Sequence, residues 1–138
     1  MVVTLPQAIY AAMLAHVRAG YPNEACGMLA GDGVTLRACH DFPAVNAATE
    51  PATFSIIDGP ALLAIMNELD RNDWVPLAYY HSHPRTPAYP SPRDIQYAQG
   101  WPGTYYLIFS LSDPEQPVLR AFLVADDHVT EHEIAIAP

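Results

Sequence analysis

The residues best suited to chemistry lie in one stretch, His81-Ser82-His83-Pro84, followed after six residues by Ser91 and then Asp94. His81 and His83 are two apart, so on a strand both imidazoles leave the same face. Pro84 ends such a strand, because proline cannot donate to a central ladder, and this leaves the pair at the rim of a sheet where a ligand can reach it. Ser91-Pro92-Arg93-Asp94 reads as a helix start: a serine cap, a proline at the first helical position, and an acid in the first turn, where the helix dipole favours the carboxylate. Two neutral imidazoles and one carboxylate make a three-ligand zinc set with a fourth position left for water, the arrangement of catalytic zinc. Each half also has a plainer reading. A histidine pair at a strand end is ordinary, and Ser91 with Asp94 could be only a capping box. Their fixed spacing behind an apolar strand favours the metal.

These residues need a scaffold. Ile9, Met13, Leu14 and Val17 recur at helical spacing over residues 6–19, with Thr4 as the cap and Gly20, Tyr21, Pro22 and Asn23 as the stop. The segments CGMLAG and VTLRACH flank Asp32-Gly33, which predicts a tight hairpin with Cys26 opposite Cys39. Residues 41–53 read as loop and 54–57 as a short strand. Asp58 caps a second helix with Pro60 early and Leu62, Leu63, Ile65, Met66 and Leu69 on its face, broken at Asn72 and Asp73. The apolar run WVPLAYYHSHP predicts a buried strand, residues 85–90 a loop, and Ser91 to Gln99 a short helix. TYYLIFSLS, PVLRAFLVA and HVTEHEIAIA predict an antiparallel meander. The fold expected is α/β: a single domain over residues 1–138, with a curved, mostly antiparallel sheet flanked by helices.

The pattern resembles the JAMM (MPN-domain) metalloprotease family, whose signature is a glutamate well upstream of HxHP, six residues, S, two residues and D. Here these are Glu24 in NEACGMLAG, His81, His83, Pro84, Ser91 and Asp94. The resemblance implies that His81, His83 and Asp94 bind one Zn²⁺ per chain, which lowers the pKa of its water toward about 7. It implies that Glu24 is the general base, delivering the proton to the leaving amine, and that Ser91 donates a hydrogen bond to the oxyanion. From its position alone Glu24 would read as a solvated acid at a strand entry. Ser82 points to the other strand face, for packing or a supporting bond. Cys26 shares the face of Glu24, but as a fourth ligand it would displace the catalytic water. His16, His40, His128 and His132 have no ligand spacing to the motif.

Members of this family cut bonds after the C-terminal tail of ubiquitin or ubiquitin-like proteins, and this chain looks most like the stand-alone bacterial and archaeal members. The resemblance therefore implies a zinc peptidase that trims a ubiquitin-like sulfur-carrier protein to its Gly-Gly end, releasing an amino acid such as cysteine. The carrier tail is expected to add as a strand beside a sheet edge, and Arg85 or Arg93 to hold the carboxylate of the released amino acid. The alternatives are a non-catalytic MPN-type scaffold and a JAMM hydrolase acting on an unrelated peptide bond.

Composition narrows the partners. Six Lys+Arg against 15 Asp+Glu give a net charge of −9, and all six basic residues are scattered arginines. Nucleic-acid binding needs a concentrated positive footprint, which is missing, so no nucleic-acid partner is expected. No apolar run approaches the roughly 20 residues of a membrane span, and the N-terminal sequence lacks the charged start of a signal peptide. The expected location is the cytoplasm, with no membrane partner. Cys26 and Cys39 are too few for a disulfide framework and in that compartment stay reduced.

Overall fold

The apolar residues of the strands segregate to two faces of one sheet in the computed structural model, which describes residues 1–138. In chain order the elements are β1 (Val2–Pro6), α1 (Gln7–Gly20), β2 (Cys26–Asp32), β3 (Arg37–Ala44), α2 (Gly59–Asn72), β4 (Val75–His83), α3 (Pro92–Ala98), β5 (Tyr105–Ser110), β6 (Val118–Ala125) and β7 (His128–Ala137). The strands run in the order β1-β3-β2-β4-β5-β6-β7 and close into a barrel. β2 pairs antiparallel with β3 and β4, and β5-β6-β7 form the antiparallel meander, whereas β4 and β5 are parallel. One layer packs Val3, Leu5, Leu107 and Phe109 against Met13 and Val17 of α1. The other packs Met28, Tyr79, Tyr106, Ile108 and Phe122 against Ile65 and Leu69 of α2 and Ala98 of α3.

The helix caps follow their sequence signals. Asp58 Oδ1 accepts the Ala61 N–H at 2.8 Å to start α2, and Asp73, at φ 56°, ends it. α1 differs, because Pro6 rather than Thr4 holds its cap position and no side chain caps it. Thr4 instead lies in β1, whose buried Val3 and Leu5 alternate with more exposed neighbours. β1 pairs parallel with β7, Val2 opposite Glu133 through Pro6 opposite Ala137, and its ladder with β3 is confined to Thr4 opposite Arg37. These partners lie too far along the chain for any local pattern to reveal them.

Closure changes the predicted sheet in a way that matters for substrate. β4 is paired on both sides, by β2 and β5, so no open edge runs beside His81 and His83. Residues 54–57 join no ladder, and β3 continues to Ala44, into the stretch read as loop. The hairpin also differs. Its turn spans residues 33–36, with Leu36 N–H bonded to Asp32 O and the left-handed position at Leu36 (φ 55°), not at Asp32-Gly33. Burial of Leu36 offsets the roughly 1–2 kcal/mol that this backbone costs a non-glycine residue. The longer turn and a bulge at Ala30/Gly31 place Cys26 opposite Ala44, while Cys39 is exposed; both thiols are free.

Gly27 sets how closely β2 approaches β4. It sits opposite Tyr80, and a Cβ there would lie 2.5 Å from the Tyr80 ring, whose hydroxyl donates to Asp41 at 2.7 Å. Gly27→Ala is expected to destabilise the fold by about 1–3 kcal/mol through overpacking, read as a lower denaturation midpoint. An unchanged midpoint would mean that the Tyr80 ring yields freely.

Candidate metal centre

Register and parity assemble the centre. Tyr79, His81 and His83 project toward the layer covered by α2 and α3, while Tyr80 projects to the α1 side. Cys26 stands opposite His81 in the β2–β4 ladder, and the chain just before β2 continues the pairing, with Ser82 N–H bonded to Ala25 O at 3.0 Å. Glu24 thus falls beside His83, on the face it shares with Cys26 and Met28. Ser82 faces away and accepts the Ala25 N–H at 2.9 Å. The third contributor comes from α3, where Ser91 and Asp94 form a full capping box.

The structure brings three heteroatoms to one point. His81 Nε2 lies 3.2 Å from His83 Nε2 and 3.2 Å from Asp94 Oδ2, and His83 Nε2 lies 3.0 Å from that same oxygen. Zinc bonds of about 2.0–2.1 Å in tetrahedral geometry need ligand separations of about 3.3 Å, which these distances approach. The chemistry of the donors fits as well. His83 Nδ1 donates to Pro87 O at 2.8 Å, which fixes the ring with Nε2 toward the other two atoms; in the neutral ring that nitrogen would offer its lone pair to a metal. Asp94 Oδ2 is oriented by the Ser91 N–H at 2.9 Å. Glu24, His81 and His83 offer ligand atoms within 4.8 Å of one another, and these three side chains and that of Asp94 are buried. Ser91 Oγ accepts the Asp94 N–H at 3.1 Å, so its hydroxyl proton stays available to another acceptor.

The two carboxyl groups are driven in opposite directions. Burial pushes Glu24 up to about 8, against the pull of His83. Burial acts the same way on Asp94, but His81 and the hydrogen bonds from His81, His83 and the Ser91 N–H outweigh it and hold Asp94 well below the usual carboxylate range. His83 is raised because its bonds to Asp94 and Pro87 exceed its own desolvation. Burial pushes the Cys26 thiol up to about 11. The buried side-chain polar atoms with no partner in the protein are Glu24 Oε1, His81 Nδ1 and Tyr106 Oη, all in this layer. A surface hollow of about 810 Å³ lies at the other end of β4, against Trp74 and Val75.

The arginines flanking the motif are less committed to the site. Arg85 is exposed. Arg93 lies over the Phe54 ring at 4.1 Å, with Nη1 3.8 Å from Glu50. Two polar residues that no local pattern singles out also converge here. Ser55 is buried and shares a 2.7 Å hydrogen bond with Tyr79 Oη, and Asn46 bonds to the Glu24 carbonyl. Both act through contacts distant in sequence, and an asparagine or serine in a polar loop carries no signature.

Comparison with known proteins bears on this geometry. The profile of the family Prok-JAB, prokaryotic homologs of the JAB domain, matches residues 6–124. The CysO-cysteine peptidase of Mycobacterium tuberculosis is 38% identical over 125 residues, covering 91% of this chain and 84% of that protein. The probable TtuB-protein conjugate cleaving protease of Thermus thermophilus is 35% identical over 126 residues, 91% of this chain and 78% of that protein. A solution structure of a Desulfitobacterium hafniense protein superposes with a TM-score of 0.88 at 37% identity, covering 99% of this chain and 93% of that one. The chain therefore belongs to the prokaryotic JAB-domain branch of the JAMM (MPN-type) peptidases, a family of hydrolases.

Proposed function

We propose that this chain is a zinc-dependent peptidase that hydrolyses the bond following the C-terminal Gly-Gly tail of a ubiquitin-like sulfur-carrier protein and releases an amino acid such as cysteine. The observation that carries the reading is the convergence of His81 Nε2, His83 Nε2 and Asp94 Oδ2 at 3.0–3.2 Å beside the buried Glu24. The names of the relatives support the substrate class: one acts on a CysO–cysteine bond and another on TtuB conjugates.

His81, His83 and Asp94 would hold the metal, which when bound would supply a Lewis acid able to acidify water and polarise a carbonyl. Glu24 takes the proton of the attacking water and returns it to the leaving amine; its orphaned Oε1 is the acceptor for that transfer. Ser91 uses its free hydroxyl proton to stabilise the developing oxyanion. With no strand edge open beside β4, the tail runs past the 46–57 loop, and Arg85 or Arg93 receives the carboxylate of the departing amino acid. Arg93 would leave the Phe54 ring to do so.

Glu24→Gln is expected to keep about one zinc per chain and lose at least about 10²-fold in turnover of a carrier extended by one cysteine, followed by intact mass. His83→Ala should lose both metal and turnover; a Glu24→Gln protein of near-normal rate would remove the general-base role. Arg85→Ala together with Arg93→Ala should slow the same cleavage roughly tenfold. Equal rates would dismiss the carboxylate contact.

Metal removal exposes the burial of Glu24. In stripped protein the folded state holds this proton up to about pH 8, whereas an unfolded chain releases it near 4.5. The stability linked to that proton is fully present below about pH 4.5 and is lost as pH rises to 8. The denaturation midpoint of stripped wild type should therefore fall more between pH 5 and 8 than that of stripped Glu24→Gln. Parallel pH dependence of the two would show that Glu24 is solvated.

A further inference from the structure

Glu24 is not part of any helix or strand; it stands in the segment between α1 and β2. Its Oε1 has no partner in the protein, so the firmness with which its main chain is held bears directly on where the carboxyl group points. The N–H of Glu24 donates to Pro51 O at 2.8 Å, and its carbonyl accepts from Asn46 Nδ2 at 2.9 Å. Both partners belong to the loop that follows β3.

Asn46 is the hub of that loop. Its Nδ2 also donates to Phe54 O at 2.8 Å, with Pro51 O at 3.5 Å, and its Oδ1 accepts the N–H groups of Ala48 at 3.0 Å and Ile56 at 3.2 Å. The two donor hydrogens and the two acceptor lone pairs of an amide side chain are thus all used, every one on backbone. Ala47 N–H closes the same loop onto Ile56 O at 3.0 Å. One side chain therefore fixes the Glu24 peptide and, simultaneously, the Phe54–Ile56 stretch that carries the buried Ser55, itself bonded to Tyr79 Oη.

We infer that Asn46 is a positioning residue for Glu24, holding its main chain at the depth that brings the carboxyl group to the attacking water. The inference rests on the reading of Glu24 as general base. A misplacement of about 1 Å in a catalytic group can cost about a hundredfold, so loss of the bond should appear in kcat. Asn46→Asp keeps the acceptor oxygen for Ala48 and Ile56 but sets a second oxygen against the Glu24 and Phe54 carbonyls. Asn46→Ala removes every one of these bonds.

The test combines a double-mutant cycle with a structure. Both Asn46 variants are made alone and with Glu24→Gln, loaded with zinc, and assayed on a ubiquitin-like carrier extended by one cysteine. The single variants are expected to retain zinc, to lose about 10- to 100-fold in kcat with KM within about threefold, and to add almost nothing to the loss already caused by Glu24→Gln. An equal further loss in the Glu24→Gln background would make Asn46 a structural residue and overturn the inference, as would failure of both variants to fold by circular dichroism. A crystal structure of zinc-loaded Asn46→Asp should show the Glu24 carboxyl group moved while His81, His83 and Asp94 stay in place. An unmoved Glu24 would overturn the inference as well. Wild type inert toward the carrier would count against the proposed substrate, and the crystal structure would still decide the role of Asn46.

Discussion

The antiparallel pairing of β2 with β4 is the constraint on which the centre depends. Cys26 opposite His81 brings the segment before β2 alongside the end of β4, so that two stretches more than fifty residues apart contribute to one face. The period of a strand is two, and a slip of a single residue would turn Glu24 away and present Ala25 instead. Three features hold the register at this end: the ring of Tyr80 packed over Gly27, Ser82 bonded to the Ala25 main chain, and the loop that holds Glu24 from the other side.

Asp94 joins two tasks that are usually separate. It completes the capping box of α3, and the oxygen that accepts the Ser91 N–H also faces both imidazoles. Helix initiation thereby orients the carboxylate, without a dedicated supporting residue. Beside it Glu24 experiences burial with much less compensation, so two acids in one layer are separated into a permanent anion and a group able to gain and lose a proton. A peptidase mechanism needs this division, because one carboxylate must stay fixed while the other exchanges.

What could be read from the chain was local. His81 and His83 share a strand face by simple alternation, Asp58 and Ser91 are helix caps, and the late strands announce themselves by composition. What could not be read depends on partners distant in sequence. The β1 strand was hidden because β7 gives it meaning, and its Thr4 resembled a cap. The hairpin register failed because a longer turn with Leu36 in the left-handed region replaced the Asp32-Gly33 turn that its sequence favours. Asn46 was invisible for a related reason: an asparagine in a polar loop looks like any other until its backbone partners, from Glu24 to Ile56, are known. The resemblance to the JAMM family located Glu24 where periodicity alone offered only a solvated acid.

The way the barrel closes bears on how the molecule comes to be folded. β1 finds its main partner in β7, with Val2 opposite Glu133, so the first strand of the chain waits for the last. The β2–β3 hairpin and the β5–β6–β7 meander can form from neighbouring residues, but the final seam is a contact of very high sequence separation, which slows folding. On a ribosome the first strand would emerge long before this main partner, with only α1 and its one ladder pair with β3 available to it until β7 was made. Val3 and Leu5, fully buried in the finished barrel, would be only partly covered through that interval, a reason for this strand to need protection while the chain is being made.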